Sequence, residues 1–216
     1  SPPRPAAPTV IELFSQAGQH PVPEAEPDAA FRELRLKFTG FGGQGILSLG
    51  ICIAEAARIE KRFTTWYPSY GPEQRGGAAA CSVVISGRTI GSPTVDTPDV
   101  LVCMNQPSYE RYVRTAKPGG TVIVDATVPL TVPAPQGVRV VSMPAIDLAI
   151  AMGVPKAANT MMLAALARLG VTGLKTENLL VALDSSFKSK PALVEKNRLL
   201  FREAQAWMDK NLKPGA

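Results

Sequence analysis

A chain of 216 residues with 45% apolar and 19% charged residues can bury one sizeable core and is marginal for two. Its net charge of +5 comes without a Lys/Arg-dense tract, and aromatics are only 6% of the chain, which argues against a nucleic-acid footprint and a stacking surface for single strands. Cys52, Cys81 and Cys103 are dispersed and show no C-x-x-C spacing, which argues against a disulfide framework, against a zinc or iron–sulfur site made by this chain alone, and for a reducing cytoplasmic compartment.

Taken from the start, residues 1–30 read as a Pro-rich arm. Pro2, Pro3, Pro5, Pro8, Pro21, Pro23 and Pro27 do not suit a packed helix or a central strand. The short apolar patch Val10–Phe14 leaves two readings open, a flexible tail or an arm that docks on another subunit through Ile11, Leu13 and Phe14. The one histidine, His20, lies in this arm. The arm lacks the basic end and apolar core of a signal peptide, and no apolar run approaches the roughly 20 residues of a membrane span.

Residues 31–212 read as one α/β unit. A first strand, about Leu34–Thr39, runs into Gly40-Phe41-Gly42-Gly43-Gln44-Gly45, with Gly40, Gly42 and Gly45 at the G-x-G-x-x-G positions. A helix follows with Ile46, Leu49, Ile53 and Ala57 on one face. A strand–glycine turn–helix unit aims backbone N–H groups and a helix dipole at one point, which suits an anion. A short strand, about Arg62–Thr65, then leads to a glycine-, proline- and aromatic-rich stretch, Trp66–Gly77, expected as a structured loop. Ala78–Ser86 is expected as a strand that turns at Gly87 into a short antiparallel partner at Thr89–Ile90. Val100–Met104 and Thr121–Val124 read as strands buried on both faces.

A helix is expected at about Ser108–Ala116, introduced by Pro107. Further elements are a strand at Val138–Ser142 and helices at Ala145–Ala151, Ala157–Leu169, about Glu177–Ser186 and about Pro191–Lys210. The last is expected to bury Leu193, Leu200, Ala204 and Trp207. Asn159, inside an otherwise apolar helix, reads as hydrogen-bonded structure. The alternation predicts a Rossmann-like three-layer α/β fold with a mostly parallel sheet, one antiparallel hairpin and a C-terminal helical segment. Loops at the carboxyl ends of such strands are where ligands bind.

The dinucleotide reading is weak. An acid to hold the ribose is wanted at the end of the second strand, near Thr64-Thr65-Trp66, and Glu60 falls before it. Arg62, the nearby cation for a 2′-phosphate, is also early. Neither a Ser/His or Cys/His pair nor a metal-ligand spacing appears, so no catalytic residue and no metal site is expected here. Asp96, Asp99 and Asp125 read either as neighbours in space or as separate turn residues. In the second loop, Arg75 reads as a clamp on a phosphate or carboxylate, or as an ion-pair partner of Glu73. These absences favour a subunit of a larger enzyme. The alternatives are a stand-alone nucleotide-binding module of the NAD(P) type and a purely structural assembly subunit.

The two loops together, Gly40–Gly45 and Pro68–Gly77, followed by Cys81-Ser82-Val83 and later by Asp99–Val102 and Asn105, resemble the gamma subunit of the 2-oxoacid:acceptor oxidoreductases. These act on pyruvate, 2-oxoglutarate, 2-ketoisovalerate or indolepyruvate. The resemblance covers about Leu34 to Lys210. It implies a complex that decarboxylates a 2-oxoacid, usually with coenzyme A, and passes electrons to ferredoxin or another acceptor protein. Alpha and beta subunits, and in some complexes a ferredoxin-like delta subunit, would be the partners. Thiamine diphosphate, Mg and iron–sulfur clusters would sit on those other or shared subunits. The positions carried over as cofactor-binding, toward coenzyme A, are Gly40, Gly42, Gly43, Gln44, Gly45, Glu73, Arg75, Gly76, Gly77 and Asn105.

Overall fold

The computed structural model describes residues 24–70 and 77–212. Among them, β1 (Leu34–Phe41), β2 (Phe63–Tyr70), β3 (Ala78–Ser86), β4 (Val100–Cys103), β5 (Thr121–Asp125) and β6 (Arg139–Met143) form one sheet in the order β2-β3-β1-β4-β5-β6. β1, β4, β5 and β6 run parallel to their neighbours in that series, whereas β3 lies antiparallel between β1 and β2. This is the mixed, mostly parallel α/β sheet that the alternation predicts.

The hairpin, however, is β2–β3, not Ala78–Ile90. Both edges of β3 are already paired, with β1 and with β2, so Thr89–Ile90 has no strand to join. Trp66–Tyr70 is also strand and not loop. Pro68 sits opposite Cys81 in β2, and β2 is an edge strand, where some N–H positions face away from the only neighbour. Trp66 turns inward and is buried, while Tyr67 and Tyr70 are exposed.

Both faces of the sheet are covered. On one face lie α1 (Ile46–Ile59), α4 (Ala158–Leu169), α5 (Thr176–Ser186) and α6 (Pro191–Asn211), with the short α3 (Ala145–Ala151) beside them. On the other lie α2 (Gln106–Tyr112) and a following 3₁₀ turn, Val113–Thr115. Val100 and Val102 join the larger cluster, with Phe38, Leu49 and Met161. Leu101 and Cys103 join the smaller one, with Tyr109 and Val113. This division is why the short β4 reads as an unbroken apolar run. α4 is buried all round from Thr160 to Leu166, as its composition predicts. In α6 the buried stripe is Asn197, Leu200, Phe201, Ala204 and Met208, whereas Leu193 and Trp207 are only half-buried.

Residues 24–33 close the amino edge of the sheet. Glu26 N donates to Lys61 O at 2.9 Å and Asp28 N to Gly87 O at 2.8 Å. Ion pairs follow the same path: Lys61–Glu26 at 2.7 Å, Arg62–Asp28, and Arg32–Asp99 at 2.6 Å. The last seven residues of the expected arm are thus held against the sheet, while Val10–Phe14 and His20 lie outside the described residues. Asp99 immediately precedes β4 and Asp125 ends β5, so these two acids lie at opposite edges of the sheet.

Candidate functional site

The carboxyl edge is organised by the turn after β1. Thr39 Oγ1 donates to Val102 O at 2.8 Å, and Met104 N donates to Thr39 O at 2.9 Å, which ties the end of β1 to β4. The Gln44 side chain then folds back over the turn. Its Oε1 accepts from Phe41 N at 2.7 Å and from Asn105 Nδ2 at 3.2 Å, and its Nε2 donates to Met104 O at 3.1 Å. A Cβ at Gly40 would lie 2.7 Å from that Oε1 and 2.9 Å from Ile46 Cγ1, so only glycine leaves room for the fold-back. Asn105 Oδ1 accepts from Ser108 N at 2.9 Å and caps α2.

Gly42 N donates to Gly77 O at 2.9 Å, which places the start of β3 beside the glycine turn. Gly45 stands at the N-cap of α1 with φ 76°, and a Cβ there would lie 2.6 Å from Asn159 Cγ. Asn159 Nδ2 is 3.5 Å from Gly45 O, and its Oδ1 accepts from Thr160 N at 3.0 Å, in keeping with a structural role. No side chain caps α1, and its first turn carries no acid. An anion approaching here meets main-chain donors and the positive end of a 14-residue helix.

Next to the turn is a cavity of about 250 Å³. Phe41, Tyr70 and Tyr112 supply its aromatic surface, and Ser69, Ser108 and Arg111 its polar side. The Arg111 guanidinium lies 5.2 Å from the Tyr112 ring centre. Aromatic faces beside one guanidinium suit a flat, polar, anionic ligand better than an alkyl chain. The sequence reading missed Arg111. A usable signal exists, because Pro107 starts α2 and puts Ser108 and Arg111 three residues apart on one helix face.

The structure therefore brings Gly40, Gly42, Gly43, Gln44, Gly45, Gly77 and Asn105 together at one edge. Glu73, Arg75 and Gly76 lie outside the described residues. Gln44 and Asn105 have their side-chain amides engaged in bracing the turn, so what the turn presents outward is backbone. Other candidate groups are committed elsewhere. Asp125 is fully buried; its Oδ1 accepts from Ile146 N at 2.9 Å and its Oδ2 from Thr127 N at 3.0 Å. Glu60 accepts from Lys175 N and Asn178 Nδ2, and Arg62 pairs with Asp28 and covers the Phe31 ring at 4.4 Å. Neither Glu60 nor Arg62 faces a ribose site. Burial pushes the Cys81 and Cys103 thiols up to about 12, so neither is a nucleophile at neutral pH. Among the described residues no group of three His, Cys, Asp or Glu side chains is placed to hold a metal ion, and no helix is long and apolar enough to cross a membrane.

The chain is similar in sequence and fold to known proteins. The chain is 43% identical over 203 residues to the ketoisovalerate oxidoreductase subunit VorA of Methanothermobacter marburgensis, covering 94% of this chain and 42% of that protein. The chain thus spans about two-fifths of the length of that relative. The keto/oxoacid ferredoxin oxidoreductase gamma subunit of Geobacter sulfurreducens superposes with a TM-score of 0.67 at 30% identity, covering 80% of this chain and 96% of that one. A 2-oxoglutarate:ferredoxin oxidoreductase from Magnetococcus marinus, solved with 2-oxoglutarate, coenzyme A and succinyl-CoA bound, gives 0.75 at 26% identity over 85% of this chain and 32% of that one. The model of the pyruvate ferredoxin/flavodoxin oxidoreductase family matches residues 35–207, from β1 into α6 and through both sides of the turn, and the chain belongs to that family.

Proposed function

We propose that this chain is the gamma-type part of a 2-oxoacid:acceptor oxidoreductase and that its carboxyl edge helps to hold coenzyme A at the entrance to an active site built mainly by other subunits or domains. The observation that carries the reading is the family match over residues 35–207, which includes the braced glycine turn and the aromatic cavity beside it. In this reading the assembly decarboxylates a 2-oxoacid, with coenzyme A as acyl acceptor, and passes electrons to ferredoxin or another acceptor. Thiamine diphosphate, Mg and iron–sulfur clusters belong, in this reading, to alpha-, beta- or delta-type partners or to sites shared with them.

The chain's own contribution is binding and orientation. The backbone of Gly42 and Gly43 and the first turn of α1 would take the phosphates, and Phe41, Tyr70 and Arg111 would flank a flat group. Gln44 and Asn105 would brace the turn, and Asn105 also lines the cavity.

Gly42→Ala is a discriminating variant. Gly42 is exposed, its φ is not in the left-handed region, and a Cβ there would meet only Gly77 O at 3.8 Å, so the fold tolerates it. Isothermal titration of the assembled complex should show coenzyme A binding weakened about tenfold or more, with an unchanged melting temperature, since a methyl group blocks close approach of a phosphate to the backbone. Unchanged affinity would remove the turn from the site. Loss of assembly, with normal turnover in any complex that survives, would instead make the turn a protein contact.

A further inference from the structure

A second, open-mouthed cavity lies on the other side of Gly45, lined by α1, α4, α5 and α6, with a volume of about 460 Å³. That is within the range of small-ligand sites, roughly 300–1,000 Å³. Its interior is Leu49, Cys52, Leu163 and Leu183, all buried. The polar atoms at depth already have partners. Thr160 Oγ1 donates to Asn197 Oδ1 at 2.7 Å, and Asn197 Nδ2 donates to Leu193 O at 2.8 Å. The Cys52 thiol lies 3.8 Å from Leu179 O, and burial pushes it up to about 12. A polar group brought inside would lose water without a free partner among these side chains, whereas an alkyl chain would gain contact with the apolar floor.

The mouth has the opposite character. Ser48, Ser186 and Lys156 are exposed there, and Lys156 is the one charged residue in the lining. It pairs with no acid among the described residues. The two carboxylates that act on Cys52, Glu55 and Asp184, are already paired with Arg58 and Arg198. The cavity is therefore apolar within and cationic at its rim.

We infer that this cavity binds an aliphatic carboxylate, with the chain lying over Cys52 and Leu163 and the carboxylate at Lys156. The site is distinct from the aromatic cavity, although Gly45, Ser48 and Leu49 at the start of α1 line it beside the glycine turn, and octanoate binding tests it without coenzyme A.

The test is titration of the full chain with octanoate, octanol and octylamine, followed by calorimetry. Octanoate should bind at one per chain. Octanol should bind more weakly, and octylamine more weakly still. Lys156→Gln should reduce octanoate affinity about tenfold and leave octanol unaffected. Leu193→Trp, at a half-buried position, should block all three, and Ser48→Trp, at an exposed one, serves if the first variant does not fold. The inference is overturned by absence of saturable octanoate binding, by equal binding of octylamine and octanoate, or by octanoate affinity that survives Lys156→Gln or a folded tryptophan variant.

Discussion

The two edges of the sheet are held by different forces. At the amino edge, residues 24–33 are fastened by two backbone hydrogen bonds and by ion pairs, with Glu26 facing Lys61, Asp28 facing Arg62 and Arg32 facing Asp99. At the carboxyl edge the turn is fastened by neutral groups, one glutamine and one asparagine amide that bond to each other and to backbone at the ends of β1 and β4 and the start of α2. An edge closed by charges has its field compensated locally. An edge braced by neutral amides leaves the helix N-terminus and Arg111 as its electrostatic features, facing outward to a ligand. Neutral bonds are also less sensitive to salt than ion pairs are.

The largest effect should come from Gly45→Ala. It forces a left-handed φ of 76° on a residue with a Cβ, and that Cβ would lie 2.6 Å from Asn159. The left-handed conformation costs about 1–2 kcal/mol and the displacement of Asn159 a similar amount, about 3 kcal/mol in sum. Denaturant unfolding measures it. Gln44→Leu should come next, at about 2 kcal/mol, because Phe41 N, Met104 O and Asn105 Nδ2 each lose a partner in a partly buried turn.

Gly87→Ala tests the other edge. Its Cβ would fall 1.9 Å from Asp28 O, so residues 24–31 must move away. That segment is mostly exposed and gives way at low cost, about 1 kcal/mol, even though the overlap is more severe than at Gly45. Its detachment should appear as faster amide exchange at Glu26 and Asp28. A larger loss for Gly87→Ala than for Gly45→Ala would reverse the ranking of the two edges.

The difference between the edges also explains what could be read from the sequence. The glycine turn, the doubly buried β4 and the all-round apolar α4 are local patterns, set by spacing and composition. The brace at Gln44 is not, because its partners Met104 and Asn105 lie 60 and 61 residues away. β2 was read as loop from Trp66 onward because Pro68 and the tyrosines resemble turn composition. Its place at the sheet edge, which tolerates proline, depends on β3 entering between it and β1. The prolines of residues 1–30 make 24–30 read as arm, and only the folded positions of Lys61, Arg62 and Gly87 turn Glu26 and Asp28 into anchors.

The smallest expected effect distinguishes the edges by pH. The Arg62 guanidinium bonded to Asp28, and then the Ala30 N–H at 3.0 Å, hold the Asp28 carboxyl below its usual value of 3.8. A carboxylate with a depressed folded pKa contributes stability that is fully present above its unfolded pKa, near 3.9, and is lost as pH falls through the folded value. Asp28→Asn should therefore lower the melting temperature slightly and by a constant amount above about pH 5, and the difference from the parent should shrink below about pH 3. Because the pair is substantially exposed, about 0.3 M salt should reduce the effect further. Gln44→Leu involves no titrating group, so its larger deficit should persist unchanged across the same pH and salt range. A Gln44→Leu deficit that tracked pH or salt as Asp28→Asn does would show that charge, and not neutral hydrogen bonding, holds the carboxyl edge.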